Sequence, residues 1–159
     1  MNENNLEKII NNIVGDAIVK EVMSLKLAVK IIETVEEKAA EMGLAVVVAV
    51  SDASGRPIAV HCMDGAYHGS FDVAVNKTYT STAFQMSTAK LSRLCQPGQD
   101  LYGLQFSNNG KVMILGGGEP LMVGKTMIGA LGVSGGSAQE DSDLAAYGAS
   151  ALKEVIKCL

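Results

Sequence analysis

Tryptophan is absent, and three Phe and four Tyr are the only aromatics in 159 residues. A core must therefore be built from Val, Ile, Leu, Ala and Met. The 8 methionines favour adaptable packing more than they mark a ligand site. No apolar run reaches the roughly 18 residues of a membrane span. Positive charge is short: 13 Lys and Arg face 17 Asp and Glu, for a net charge of −4. No basic patch stands out, which argues against nucleic acid and anionic membranes as partners. The N-terminus lacks a basic stretch followed by an apolar core, so no secretory signal is expected. The three cysteines, Cys62, Cys95 and Cys158, have no CxxC spacing. They read as free thiols in a reducing, cytoplasmic compartment. There is no G-x-S-x-G, no H-E-x-x-H and no evident Ser-His-Asp arrangement. With two histidines, acid–base catalysis would lean on them or on carboxylates. No catalytic constellation is recognised, and whether the protein is an enzyme stays open.

What is present is a 48% hydrophobic chain, long enough for one domain with a real core. Residues 1–22 place Leu6, Ile9, Ile10, Ile13, Val14 and Ala17 on one helical stripe, opposite Glu7, Lys8, Asn11, Asn12 and Asp16. So short a helix is marginal alone and needs a surface for that stripe. A second helix is predicted over 24–42, with Ser24 as N-cap, Gly43 just past its end, and a stripe of Leu25, Val29, Ile32, Val35 and Ala39.

The period then changes. LAVVVAVSD (44–52) reads as a strand buried on both faces, and PIAVHCM (57–63) as its hairpin partner. A helix over 70–86, capped by Ser70, and a shorter one over 87–95 follow. Residues 111–118 and 119–136 give two or three more strands, and 137–159 a final helix whose Ser137 and Glu140 fit a capping box. Hairpins flanked by helices indicate an α+β fold. A strand buried on both faces asks for more cover than one short chain readily supplies, so a homo-oligomer is expected.

HCMDGAYHGS (61–70) gathers His61, Cys62, Met63 and His68, all able to bind a soft metal or haem iron. Strand alternation puts Ile58, Val60 and Cys62 on one face and Ala59, His61 and Met63 on the other. Cys62 is then expected in the core. His61 and Met63 are neighbours, and His68 can fold back toward them beyond Asp64-Gly65. The spacing matches no metal motif, and hydrogen-bonded or surface histidines explain the stretch equally. Ser134, Gly135 and Gly136 lie between a strand and a helix N-terminus, where backbone N–H groups can hold an anion. Glu140, Asp141 and Asp143 can cap the same turn instead. LGGGEPL (115–121) can allow close approach of a ligand or another chain, or be a flexible turn. Lys77, in the 70–86 helix, can balance an anionic ligand or be a solvated lysine.

Three motifs, in order, carry a family resemblance. SDASGRPIAVHCMDGA (51–66) resembles the D-x-x-G…MDGA hairpin of the GlcG/HbpS-like family, which also forms the C-terminal half of PduO proteins. NKTYTSTAF (76–84) and GGGEPLMVGKTMIGALGVSGGSAQED (116–141) resemble its later motifs. The resemblance spans about residues 24–157. It implies a profilin-like antiparallel sheet of about five strands flanked by helices, in a domain over 23–159, and assembly into oligomers. It also implies haem or corrinoid as cofactor, bound by an accessory protein of diol metabolism. On this basis His61 and His68 are candidate iron ligands. Met63, Asp64, Gly65, Lys77, Ser134, Gly135 and Gly136 are candidate ligand-binding residues. The alternatives are an enzyme acting on a small hydroxy acid, aldehyde or cofactor at the MDGA and SGG segments, or a structural assembly factor. The adenosyltransferase activity of PduO belongs to a domain this sequence does not contain. LEKIINNIVGDAIVKEV resembles the encapsulation peptides of bacterial microcompartment cargo. That implies shell or cargo proteins as partners through residues 1–22, and a place inside such a compartment.

Overall fold

The computed structural model describes residues 22–159. The helix predicted over 1–22 thus lies outside the described residues, save Val22. Helix α1 (Leu25–Glu41) leads into strands β1 (Val47–Asp52) and β2 (Pro57–Cys62), then helices α2 (Ser70–Phe84) and α3 (Thr88–Leu94). Two short 3-10 turns precede strands β3 (Gly118–Val123) and β4 (Thr126–Ser134), and helix α4 (Ala138–Lys157) closes the chain. The four strands form one antiparallel sheet in the order β2-β1-β4-β3. No described helix is long and apolar enough to cross a membrane.

Local chemistry sets the helix ends. Ser24 Oγ accepts from Leu27 N–H, and Gly43 takes the positive φ of +71° that favours glycine just past α1. In α4, Ser137 and Glu140 form the reciprocal capping box. Ser70 departs from expectation. It is the first helical residue of α2 and is buried, while Gly69 occupies the cap position without a side-chain bond. On α1 the buried stripe runs through Leu27, Ala28, Ile31, Ile32, Val35 and Ala39, leaving Leu25 exposed.

β1 is buried on both faces, as its continuous apolar run requires. Val48 and Val50 enter the main core, with Ile31, Ile32 and Val35 of α1 and Leu144 and Leu152 of α4. Val47 and Ala49 face the other way, against Ala74 of α2. The chain's own helices therefore cover both faces, and this strand does not by itself demand a second copy.

Among the described residues there are four strands where about five were expected. KVMILGGG does not form one before Gly118. Val112 instead packs against Leu91 and Cys95 in a small separate cluster. Met113 N–H donates to Thr80 Oγ1 at 2.8 Å, a side-chain partner in place of a ladder.

α2 rests on the sheet with a polar underside: Lys77, Thr78, Thr80, Ser81 and Thr82 are all buried. Thr78, Thr80 and Thr82 satisfy their hydroxyls on carbonyls one turn back, which lets β-branched polar residues sit inside a helix. The contact is close because Gly132 has no side chain; a Cβ there would collide with the carbonyl of Ala74.

Candidate functional site

The sheet carries the HCMDGAYHGS stretch at its open edge. β2 is an edge strand, and a register shift opposite Val50/Ser51 breaks its alternation. Ile58 and Ala59 both pack toward the main core, whereas Val60 turns to the α2 side. Cys62 is exposed, not a core residue as strand alternation suggested, because it is the last residue of a strand at the edge of the sheet. The other two thiols divide: Cys95 is buried and Cys158 exposed.

His61 points to α1. Its Nδ1 lies 3.2 and 3.3 Å from the two carboxylate oxygens of Glu36, and both side chains are partly exposed. Met63 packs against the main core next to it. A carboxylate on Nδ1 orients the ring and favours the tautomer with its proton there, leaving Nε2 free to accept or to bind a metal. Glu36 was not anticipated from sequence. Its only signal was a carboxylate off the apolar stripe of α1, shared with Glu33, Glu37 and Glu41.

His68 does not join this pair. Ala66 N–H closes a turn on Met63 O, with Gly65 at φ +87°. Ala66 then packs on the α2 side of the sheet, carrying the exposed His68 toward the start of α2. Asp64 and Gly65 are exposed turn residues. Among the described residues no group of three or more His, Cys, Asp and Glu converges as a metal cage. A haem, whose ring supplies four of the iron's ligands, asks the protein for only one or two.

The candidates Lys77, Ser134, Gly135 and Gly136 form a second locale, and it is an internal one. Lys77 is 1% exposed. Its Nζ donates to Val133 O at 2.6 Å and to Asp141 Oδ2 at 2.8 Å. Burial pushes the amine below its ordinary pKa, and the bond and charge of Asp141 oppose that shift. The other Asp141 oxygen accepts from Gly136 N–H at 2.9 Å, and Glu140 accepts from Ser137 N–H at 2.7 Å. The turn's N–H groups at 136 and 137 are thus taken by carboxylates of α4, the self-capping arrangement. Lys77 is neither solvated nor open to a ligand. It ties α2 to β4 and α4.

The glycines of LGGGEPL explain how this pair is sealed. A Cβ on Gly117 would lie 2.7 Å from Lys77 Nζ, and one on Gly118 would lie 2.8 Å from Ser81 Oγ. The close approach is to the chain's own helices. Outside Gly116 an open cleft of about 230 Å³ remains, lined by Ser92 and Arg93 of α3 and Gln139 and Ser142 of α4.

The same fold occurs in known proteins. The model of the family described as haem degrading protein HbpS-like matches residues 23–150. An uncharacterized 15.0 kDa protein of Citrobacter freundii, from the dhaT-dhaS intergenic region, is 39% identical over 77% of this chain and 87% of its own. The corrinoid adenosyltransferase PduO of Salmonella typhimurium is 39% identical over 69% of this chain but only 32% of its own length. The crystal structure of a PduOC:heme complex superposes with a TM-score of 0.78 at 35% identity, covering 82% of this chain and 94% of that one. With most of its length matched by the family model, and with such relatives, this chain belongs to the HbpS-like family.

Proposed function

We propose that this protein binds haem as an accessory protein, with Nε2 of His61 as an iron ligand. The observation that carries the reading is the Glu36–His61 pair. Metal-binding histidines characteristically give their second ring N–H to a carboxylate, which orients the ring and strengthens it as a donor. Kinship supports haem as the group bound, since a similar chain has been crystallised as a PduOC:heme complex. The same imidazole suits the cobalt of a corrinoid, the second candidate. Bound haem would supply a redox-active iron. The residues of this chain would hold and orient it, and no catalytic step is assigned to them.

His61 lies on an edge strand and is partly exposed. A flat apolar macrocycle there needs cover on its outer side, which a second copy of the chain would provide. The relationship to PduO, together with the amphipathic stripe of residues 1–22, supports a setting in diol metabolism. In that setting residues 1–22 would serve as the handle on a microcompartment shell.

A haem titration tests the ligand. The expected result is a shifted Soret band at micromolar haem that is lost in His61→Ala and kept in His68→Ala. An unshifted band in the parent protein, or an unchanged one in His61→Ala, overturns the assignment. A reporter fused to residues 1–22 that stays diffuse in a compartment-forming cell would overturn the shell reading alone.

A further inference from the structure

An apolar hollow of about 250 Å³ lies between the β3–β4 hairpin and the last turns of α4. Met122, Val123 and Ile156 line it, and Lys153 and Lys157 stand beside them. Val123 and Ile156 pack inward against the main core, while Met122 is 41% exposed. Such a hollow, apolar within and bordered by lysines, can take the apolar face of an amphipathic segment.

Where the described chain begins says what can reach it. Lys26 Nζ donates to Leu159 O at 3.2 Å, which places the start of α1 beside the end of α4. Met23 is already anchored in the main core, and Val22 and Leu25 add exposed apolar surface at the same end. Leu159 N–H donates to Ile156 O at 3.4 Å, so the chain end sits within a turn of the hollow. Residues 15–21, extended at ~3.3 Å each, reach about 23 Å. The stripe of Leu6, Ile9, Ile10, Ile13 and Val14 therefore starts within easy reach of the hollow.

Charge agrees. Residues 1–21 hold Glu3, Glu7, Asp16 and Glu21 against Lys8 and Lys20. Lys157 is paired with Glu154, but Lys153 makes no ion pair among the described residues.

We infer that this hollow seats the apolar stripe of residues 6–14 of the same chain, with Lys153 beside a segment in which Glu3, Glu7 and Asp16 outnumber Lys8. The inference is independent of haem binding. It bears on the shell reading, because a stripe seated in cis is hidden until a competing surface displaces it.

Hydrogen exchange on the full chain, free of shell proteins, is the test. Amides of residues 6–14 are expected to exchange at least about tenfold more slowly than an unstructured chain, equally at high and low protein concentration. Met122→Asp should abolish that protection and Lys153→Glu reduce it, with exchange in α1 and β1 unchanged. Fast exchange of residues 6–14 in the parent protein overturns the inference. So does protection that fades on dilution, which would mean a second copy as the occupant. Protection unmoved by both variants overturns it as well. Because no shell is present, failure here leaves the reporter experiment on the shell reading untouched.

Discussion

Glu36 on α1 reaches His61 on β2 across 25 positions of sequence, with both carboxylate oxygens within 3.3 Å of Nδ1. The pair joins a helix to an edge strand, and Nε2 makes no hydrogen bond among the described residues. Glu36→Gln keeps the size but loses the charge. Removing such a carboxylate partner costs about 10- to 100-fold in metal affinity in known sites. Equilibrium haem titration of Glu36→Gln should show weakening in that range, with the fold intact by circular dichroism. Parent-like affinity would mean that Glu36 does not position His61.

Lys77 and Asp141 should behave as a coupled unit. Both are buried, at 1% and 5% side-chain exposure. Lys77→Met leaves the Asp141 carboxylate without its cation, and the expected loss is about 3–5 kcal/mol. The double variant Lys77→Met/Asp141→Leu should lose much less than the sum of the single variants. Urea unfolding of the four proteins provides the cycle. Additive losses would show that the two side chains act separately.

Glu119 gives a pH dependence of definite sign. Burial on β3 pushes its carboxyl above the ordinary value of 4.5. In the window from 4.5 up to the raised value the folded state holds more protons than the unfolded one. This group's contribution is therefore complete below pH 4.5 and is lost as pH rises through the folded value. Glu119→Gln should remove that loss, so the variant gains stability over the parent at pH 7 more than at pH 4. Melting curves at the two pH values read the difference, and an equal effect at both would contradict it.

The thiols should separate by burial. Cys62 and Cys158 are exposed, while Cys95 is buried and its thiol is pushed up by desolvation. Under native conditions a thiol reagent should modify Cys62 and Cys158 rapidly and Cys95 only on unfolding. Mass spectrometry of the modified peptides checks the order. Rapid native labelling of Cys95 would contradict the packing of α3.

Much of the architecture was legible because it is local. The helix of α1 follows from its 3.6-residue period, and the ends of α1 and α4 from Ser24, Gly43, Ser137 and Glu140, whose capping partners lie within a few residues. β1 announces itself through continuous valine. The strand expected at 111–118 failed for the opposite reason. Its apolar residues suit a strand or a packed loop equally, and only the neighbouring Leu91, Cys95 and Thr80 decide between them.

The candidate site was legible in part. His61 and Met63 share the face that alternation assigned to them, and the SGG turn is capped by its own carboxylates. Cys62 could not be placed, because whether β2 is an edge is a property of the whole sheet. Lys77 was open between ligand and solvent, since nothing near it in sequence names Asp141, 64 positions away.

By itself, then, the sequence determined the helix periods and caps, the doubly buried β1 and the family motifs, all encoded by residues close together along the chain. Tertiary structure alone decided that Glu36 holds His61, that Lys77 is locked onto Asp141, that Cys62 is exposed and that β1 is covered without a second copy. Those outcomes depend on strand order and on helices meeting across long separations, and spacing within a short window carries no information about either.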